Sequence, residues 1–265
     1  MELIGLISLT CTLMVSAGQT AESAQPAIDP KIEAILDNLE AGGDEVKDLH
    51  CKVEYSVVDK LNLDEYTKYG EIRYLRDEPN PRFIVHFNKR EQGGTVNRDK
   101  EWWLFDGRWL WEVNAGSRQV RKQEMVRPGE RIDFFDIETT PFPLPFGQKK
   151  DQILENFDVT LEAPKPSDPP GTDHLHCVPK PTSRLAGEYD SFDFYVDRKL
   201  HLPRRIVATE RKSLKILTSN FPDLSAASIN RGVKRDMFKP LKEWNKLGKP
   251  IVERLPEVKA GTNPS

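Results

Sequence analysis

Alternation of apolar and polar residues with a period of two is the feature that most limits how this chain can fold. Residues 51–57, 82–87 and 191–197 each carry apolar side chains at every second position. Such side chains share one face of a strand, so the pattern is typical of antiparallel strands with one covered and one solvated face. We count about ten such segments, and a sheet of that size must curve strongly or close. The sequence therefore predicts a mainly β protein.

The densest part of this pattern is rich in tryptophan. Residues 101–105 and 108–113 are apolar runs joined by Asp106-Gly107, and residues 114–117 then turn the chain into 118–122. Asp-Gly between two apolar runs indicates a hairpin, because glycine tolerates the positive φ that a tight turn requires. We predict a three-stranded meander that carries four of the five tryptophans.

Three segments are predicted to be helical. The first is capped by Asp29, starts at Pro30 and ends at Gly42-Gly43. Its apolar stripe has the helical spacing i, i+3, i+4, i+7 and consists of Ile32, Ile35, Leu36 and Leu39. Two further helices are expected over 128–137 and 148–156, on either side of the proline-rich segment 141–147, which cannot be a central strand.

The N-terminal residues resemble an export signal. Residues 3–17 are uncharged and end in Val15-Ser16-Ala17, which has the small residues that signal peptidase prefers. Glu2 and the absence of Lys or Arg before this run leave a membrane tether open, and Cys11 leaves a lipidated cysteine open. We expect a signal peptide and polar spacer over 1–26, one domain over 27–240 and a loosely ordered tail over 241–265.

Charge and cysteine content exclude some functions and leave others open. The chain has 39 basic and 42 acidic residues, and this balance disfavours binding to nucleic acid, which needs many neutralising Lys and Arg contacts. Cys51 and Cys177 remain after the signal is removed. An exported pair can form a disulfide, but the two lie far apart in the sequence, which favours two separate buried thiols.

Several motifs, in order, resemble the family of the periplasmic lipoprotein carrier LolA. The motifs are GEIRYLR at 70–76, NPRF at 80–83, WLFDGRWLW at 103–111, LHCVPK at 175–180 and LPRRI at 202–206. The similarity runs from about residue 29 to 240, and segment 144–147 looks more like the LolA-like proteins of planctomycetes than the enterobacterial carrier. The resemblance implies an unclosed antiparallel β-barrel with a short helical lid and an N-terminal helix.

The resemblance also implies a function. Lipids or lipoprotein acyl chains would lie in an apolar cavity between the sheet and the helices of a periplasmic monomer, which would meet an inner-membrane release complex or an outer-membrane acceptor. Arg76 matches the arginine that holds the family's lid shut. Arg73 lies on the opposite face of the same strand. For either arginine, the alternative role is an ion pair with Glu71 or Asp77.

The candidate ligand-binding residues follow from the alternation, the resemblance and the proline-rich segment. Aromatic residues of the meander can be core or cavity wall, and apolar residues between prolines can be lid or plain packing. The candidates for the cavity or the lid are Arg76, Phe83, Val85, Phe87, Trp103, Trp109, Trp111, Phe142, Leu144 and Phe146.

We predict no catalytic residues, no metal and no cofactor. The chain lacks the nucleophile, zinc-protease and phosphate-loop motifs. His174 and His176 share a strand face and could start a metal site or face solvent. Asp133 and Asp136 have helical spacing and could act as acid and base or lie on an outer helix face. The chain is therefore expected not to be an enzyme, and the alternative to a carrier is a non-catalytic envelope interaction module.

Overall fold

The computed structural model describes residues 28–132 and 147–256. Strands dominate this part of the chain, as predicted. The first seven strands are β1 (Asp48–Asp59), β2 (Asp64–Leu75), β3 (Arg82–Gln92), β4 (Thr95–Asn97), β5 (Glu101–Phe105), β6 (Trp109–Asn114) and β7 (Gln119–Glu124). The next six are β8 (Phe157–Glu162), β9 (Thr172–Pro179), β10 (Tyr189–Asp197), β11 (Pro203–Glu210), β12 (Lys215–Asn220) and β13 (Ile251–Glu253).

All the described strands belong to one sheet. Their order is β13-β7-β6-β5-β3-β2-β1-β12-β11-β10-β9-β8, and β4 pairs with β3 beside this path. Each pairing is antiparallel except that of β13, which runs parallel to β7. In this order β13 and β8 are the two ends and are not paired with each other. The predicted unclosed antiparallel sheet is therefore confirmed.

The N-terminal helix α1 (Pro30–Glu45) begins as predicted and ends later. The Asp29 carboxylate accepts a hydrogen bond from the Lys31 backbone N–H at 2.8 Å. The predicted end at Gly42-Gly43 is wrong, because both glycines lie within the helix. A Cβ on Gly42 would lie 3.0 Å from the Cβ of His201, so this glycine allows α1 to approach the turn between β10 and β11.

The second helix is α2 (Lys150–Asn156) and lies within the predicted range. The helix predicted over 128–137 is not present in its first five residues, because Gly129 has a φ of 86° and forms a turn. Residues 133–146 lie outside the described part of the chain. The described 3₁₀ turns are Arg184–Gly187, Ala226–Ser228, Arg235–Met237 and Lys242–Lys246.

The predicted tryptophan-rich meander is confirmed as β5, β6 and β7. The carboxylate of Asp106 fixes its first turn by accepting hydrogen bonds from the backbone N–H groups of Arg108 and Trp109, at 3.1 and 2.9 Å. Gly107 adopts a φ of 98°, which explains the need for glycine at this position.

Two apolar clusters lie on the face of the sheet that we call the inner face, against which α1 packs. The stripe of Ile32, Leu36 and Leu39 packs over the strands at one end of the sheet. The residues it covers include Phe157, Leu175, Phe192, Phe194 and Ile206. The second inner cluster lies over β1, β2, β3, β5 and β6 and includes Leu49, Val53, Ile72, Phe83, Val85, Phe87, Phe105 and Leu110.

The opposite, outer face of the meander is covered by the C-terminal part of the chain. Phe238 and Trp244 are 1% and 3% exposed and pack against Trp102 and Leu104, and β13 then extends the sheet. The expectation of a loosely ordered tail from residue 241 is therefore wrong for residues 241–256. This segment is rich in Lys and Pro, but one tryptophan anchors it.

Candidate ligand-binding site

The inner face of β3 and β5 brings together four of the predicted site residues. Phe83, Val85 and Phe87 are buried, and Trp103 is half-buried beside them. Val85 pairs with Trp103 across the two strands, and the Phe87 ring meets the Trp103 ring edge-on with centres 6.3 Å apart. These side chains form a continuous apolar surface, which we call the inner wall.

Tyr55 extends the inner wall onto β1. Its ring centre lies 6.2 Å from that of Phe87. Burial raises the pKa of its hydroxyl far above the usual range, with Tyr66 and Glu210 adding to the effect, so the phenol stays protonated. Tyr55 gives this apolar surface one neutral polar group.

Trp109 and Trp111 do not belong to the inner wall, contrary to the prediction. Leu110 is the residue of β6 that reaches the inner cluster, and its two neighbours therefore lie on the outer face. There the Lys122 ammonium lies 4.2 Å from the ring centre of Trp109 and 4.5 Å from that of Trp111. Sequence alternation showed that the tryptophans were divided between two faces, but not which face was covered by α1.

Phe142, Leu144 and Phe146 lie outside the described residues. Their assignment to a lid or to a ligand-facing surface remains a prediction from the sequence.

Arg76 connects the sheet to the C-terminal end of α1. Its guanidinium donates hydrogen bonds to the backbone carbonyls of Val46 and Gly43, both at 3.0 Å. Helix C-termini expose carbonyls that lack partners within the helix, and a cation there also interacts favourably with the helix dipole. The lid-holding role that the resemblance implies for Arg76 stays a prediction.

Among the described residues, Arg73 forms the ion pair, whereas Arg76 contacts the two backbone carbonyls. Arg73 contacts the Glu71 carboxylate at 2.6 Å on the outer face. Asp77 is instead paired with Arg82 at 2.6 Å and Arg235 at 2.9 Å. The two arginines of β2 and its C-terminal flank therefore have different partners on opposite faces.

Ion pairs also connect α1 to α2. Lys149 lies 2.8 Å from the Asp44 carboxylate, and Lys150 lies 2.7 Å from Asp37 and 3.0 Å from Glu33. These pairs are partly exposed, so each contributes little on its own. We call this group of contacts the helix–helix ion cluster, and it adds polar and salt-sensitive contacts to the apolar packing of α1.

A groove of about 440 Å³ opens beside the same end of α1. Its walls come from α1, from the turn between β10 and β11, and from residues 226–230. Val46 and Leu202, which line the groove, are also buried members of the inner cluster. The groove therefore leads from solvent to the edge of the inner cluster, next to the carbonyls that Arg76 contacts.

The far end of the inner face is polar, which sequence analysis did not predict. Lys68 and Glu101 form an ion pair at 2.6 Å, with side chains 13% and 17% exposed. Arg90 lies over the ring of Tyr66 at 4.0 Å. Strict alternation from Phe87 would put Lys89 on this face. The β2–β3 register is irregular here, because Gly70 pairs with Phe87 and Tyr69 with Lys89. This irregularity turns Arg90 inward in place of Lys89.

His174 and His176 lie on the outer face and share one partner. Their ring nitrogens lie 2.8 and 2.7 Å from the same carboxylate oxygen of Asp193, and the His174 ring stacks on Tyr195. Within residues 28–132 and 147–256, no group of three or more His, Cys, Asp or Glu side chains is arranged to hold a metal ion.

The two cysteines are separate. Cys51 belongs to the inner cluster over β1 and Cys177 to the cluster under α1, and both are free and buried. Burial raises the pKa of both thiols, which keeps them protonated and unreactive.

The fold and the site define a class of protein, namely one with a single unclosed β-sheet whose inner face is apolar and covered by an N-terminal helix. This is the architecture that the resemblance to the LolA-like family implies. None of the helices in the described ranges has the length and apolar character needed to cross a membrane.

No protein-family model and no curated protein matches this chain, but solved structures are similar to it. A conserved protein from Thermus thermophilus is 13% identical, with a TM-score of 0.42 over 84% of this chain and 99% of that one. The MucA/MucB complex of Pseudomonas aeruginosa is 14% identical, with a TM-score of 0.41 over 80% of this chain and 62% of that one. A LolA superfamily protein from Nitrosomonas europaea is 13% identical, with a TM-score of 0.36 over 78% of this chain and 97% of that one.

Proposed function

We propose that this protein is a periplasmic carrier or sensor that binds lipids or lipoprotein acyl chains against the inner wall. The observation that carries the proposal is the inner wall itself, an aromatic and aliphatic surface shared by β1, β3 and β5. The export signal expected over residues 1–26, outside the described part, supports the periplasmic location.

The physical basis of binding is apolar burial. An acyl chain that replaces water or loosely packed side chains on the inner wall gains about 25 cal/mol per Å² of apolar area removed from water. No charged partner is needed for the chain itself. Phe83, Val85 and Phe87 of the inner wall are buried in this structure, so the ligand must enter by displacing whatever covers them.

Entry is proposed to occur at the C-terminal end of α1. The contacts that hold this end are the Arg76 hydrogen bonds and, from the helix–helix ion cluster, the pair of Lys149 with Asp44. They lie at partly exposed positions and are individually weak. The groove beside them already reaches Val46 and Leu202. A modest movement of α1 would extend the groove toward the inner wall.

The first test is native mass spectrometry of the mature protein purified from a membrane-containing lysate, followed by lipid extraction. We expect bound lipid at near one-to-one stoichiometry. Trp103→Asn on the inner wall should lose the lipid, whereas Trp109→Asn on the outer face should keep it. An empty wild-type protein that also fails to bind an added long-chain fatty acid would contradict the proposal.

A second candidate function is a non-catalytic interaction module that binds an envelope protein. The observation that favours it is the inward ion pair of Lys68 and Glu101, since a purely lipid-binding surface has no need of paired charges. Cross-linking in intact cells with a photoreactive residue at position 68 tests this candidate. A single protein adduct would favour the module, and a lipid adduct would favour the carrier.

A further inference from the structure

We propose that Arg90, stacked on Tyr66, binds the anionic headgroup of the ligand at the end of the inner wall opposite Arg76. The ligand class is thereby narrowed to amphiphiles with a carboxylate or a phosphate next to the acyl chain. The inference rests on the proposed function, because it assigns the polar end of the same site.

The strand register places Arg90 on the inner face. Arg90 pairs with Lys68, and Lys68 pairs with Tyr55 of the inner wall. Gly70 permits the register shift, because a Cβ at this position would collide with the backbone carbonyl of His86. The neighbouring Lys89 consequently lies on the outer face, where its ammonium lies 4.0 Å from the ring centre of Tyr69.

Arg90 has an unused hydrogen-bond donor. Its Nε is buried, and no described atom accepts a hydrogen bond from it. Two carboxylates at this end of the inner face are already engaged: Glu101 by Lys68 at 2.6 Å, and Asp64 by the Gln92 amide at 2.7 and 2.8 Å. A buried N–H donor without a partner is costly, although Arg90 as a whole is only half-buried. A planar guanidinium presents a fork of donors that matches a carboxylate or a phosphate, so an anionic ligand would remove this cost.

Contacts through Tyr66 and Lys68 connect the Arg90 guanidinium to the inner wall. The Lys68 ammonium lies 5.7 Å from the ring centre of Tyr66 and 5.8 Å from that of Phe87, and Phe87 is part of the inner wall. A headgroup at Arg90 would therefore have its first methylene groups beside Tyr66 and Phe87, where the face changes from polar to apolar.

The length of β3 suits such a ligand. Seven residues separate Phe83 from Arg90, which corresponds to roughly 23 Å of strand. One leaflet of a bilayer has a hydrocarbon thickness of about 15 Å. An acyl chain of ordinary length can thus lie along the inner wall while its headgroup reaches Arg90.

The test compares three probes that share one chain: hexadecanoic acid, hexadecyl phosphate and hexadecanol. Binding is measured by isothermal titration to the wild-type protein, to Arg90→Gln and to Lys89→Gln. The two substitutions remove the same charge from adjacent residues on opposite faces. Arg90→Lys, which keeps the charge, serves as a second variant on the inner face.

We expect Arg90→Gln to weaken binding of the acid and the phosphate about tenfold and to leave hexadecanol binding unchanged. Lys89→Gln should change none of the three affinities, and Arg90→Lys should retain part of the preference for anions. A preference for hexadecyl phosphate over the acid would indicate a phospholipid source, and the reverse preference would indicate a free fatty acid.

Two results would overturn the assignment in distinguishable ways. If all three probes bind wild type equally well, or if Arg90→Gln and Lys89→Gln have the same effect, the carrier function stands and the headgroup site is wrong. If wild type binds none of the probes, hexadecanol included, the proposed function itself fails and the headgroup site fails with it.

Discussion

At the scale of single residues, Arg76 is the side chain that joins the sheet to the end of α1. Its contacts are two hydrogen bonds from a charged donor to backbone carbonyls. The side chain is exposed, so solvent weakens these bonds. We therefore expect Arg76 to affect the end of α1 more than it affects the stability of the whole fold.

Arg76→Gln should loosen the end of α1 without unfolding the protein. We expect a loss of about 1 kcal/mol in the free energy of unfolding and faster amide hydrogen exchange at residues 43–47. Arg73→Gln, which removes an arginine from the outer face of β2, is the control and should leave exchange at α1 unchanged. Equal exchange in both variants would show that Arg76 does not hold the helix.

His86 should make stability depend on pH. Burial against Trp102, together with Lys100, lowers the pKa of this imidazole below its usual value. The unfolded chain therefore binds the proton more readily than the folded protein between the two pKa values. The contribution of neutral His86 to the free energy of unfolding is fully present above about pH 6.5. This contribution decreases as the pH falls below that value.

The corresponding measurement is urea unfolding between about pH 7.5 and pH 5.5. Wild type should lose more stability over this range than His86→Phe, which keeps the aromatic stack with Trp102. If both proteins lose stability equally over this range, the proton equilibrium of His86 does not differ between the folded and unfolded states.

Sequence alternation predicted the inner wall but not every residue on it. Phe83, Val85 and Phe87 were placed together because period two is a local property of a strand. Arg90 was missed because its orientation depends on a register shift between two strands. Trp109 and Trp111 were assigned to the wrong face because alternation divides residues between two faces without showing which one α1 covers.

At the scale of elements, α1 and α2 are joined by charge. In the helix–helix ion cluster, Lys149 at the N-cap of α2 and Lys150 at its first position lie among carboxylates spaced along α1. Like other exposed pairs, these are screened by salt.

Replacing Lys149 and Lys150 together by glutamine should lower the melting temperature at low ionic strength. The difference from wild type should shrink as NaCl approaches about 1 M, where the Debye length falls to about 3 Å. The control is Lys165→Gln in the loop between β8 and β9, which removes the partly exposed ion pair of Lys165 with Glu162. A difference that does not depend on salt would mean that the lysines act through packing.

The C-terminal segment should detach if its anchor is removed. Trp244 contacts Trp102 and Trp111 with ring centres 5.7 and 6.1 Å apart. Trp244→Ala should cost about 3 kcal/mol in the free energy of unfolding and expose residues 241–256 to protease. Met237→Ala, at an exposed position just before this segment, should change stability by about 0.5 kcal/mol or less. Protection from protease in Trp244→Ala would contradict the anchoring role.

Elements with local signals were predicted more accurately than those that depend on distant contacts. The start of α1 and the Asp106-Gly107 turn are determined by nearby side-chain and backbone chemistry. The end of α1 depends on how closely Gly42 approaches His201, and the position of residues 241–256 depends on Trp244 meeting the meander. Neither of these contacts leaves a periodic signal in the sequence.

At the scale of the whole molecule, an unclosed sheet has two faces, and other parts of the chain must cover the apolar side chains on both. Here α1 covers one part of the inner face, and the C-terminal segment covers the outer face of the meander. The inner wall lies on the same face as the part under α1 but over different strands. This division would allow α1 to move while the outer cover keeps the sheet folded.

The division of tryptophans between the faces allows a direct test of lipid binding at the inner wall. Trp103 faces inward, whereas Trp102, Trp109, Trp111 and Trp244 belong to the outer face. A bound fatty acid brominated along its chain should quench the fluorescence of wild type. Quenching should be lost in Trp103→Phe and retained in Trp109→Phe. Retained quenching in Trp103→Phe together with its loss in Trp109→Phe would place the ligand on the outer face and contradict the proposed site.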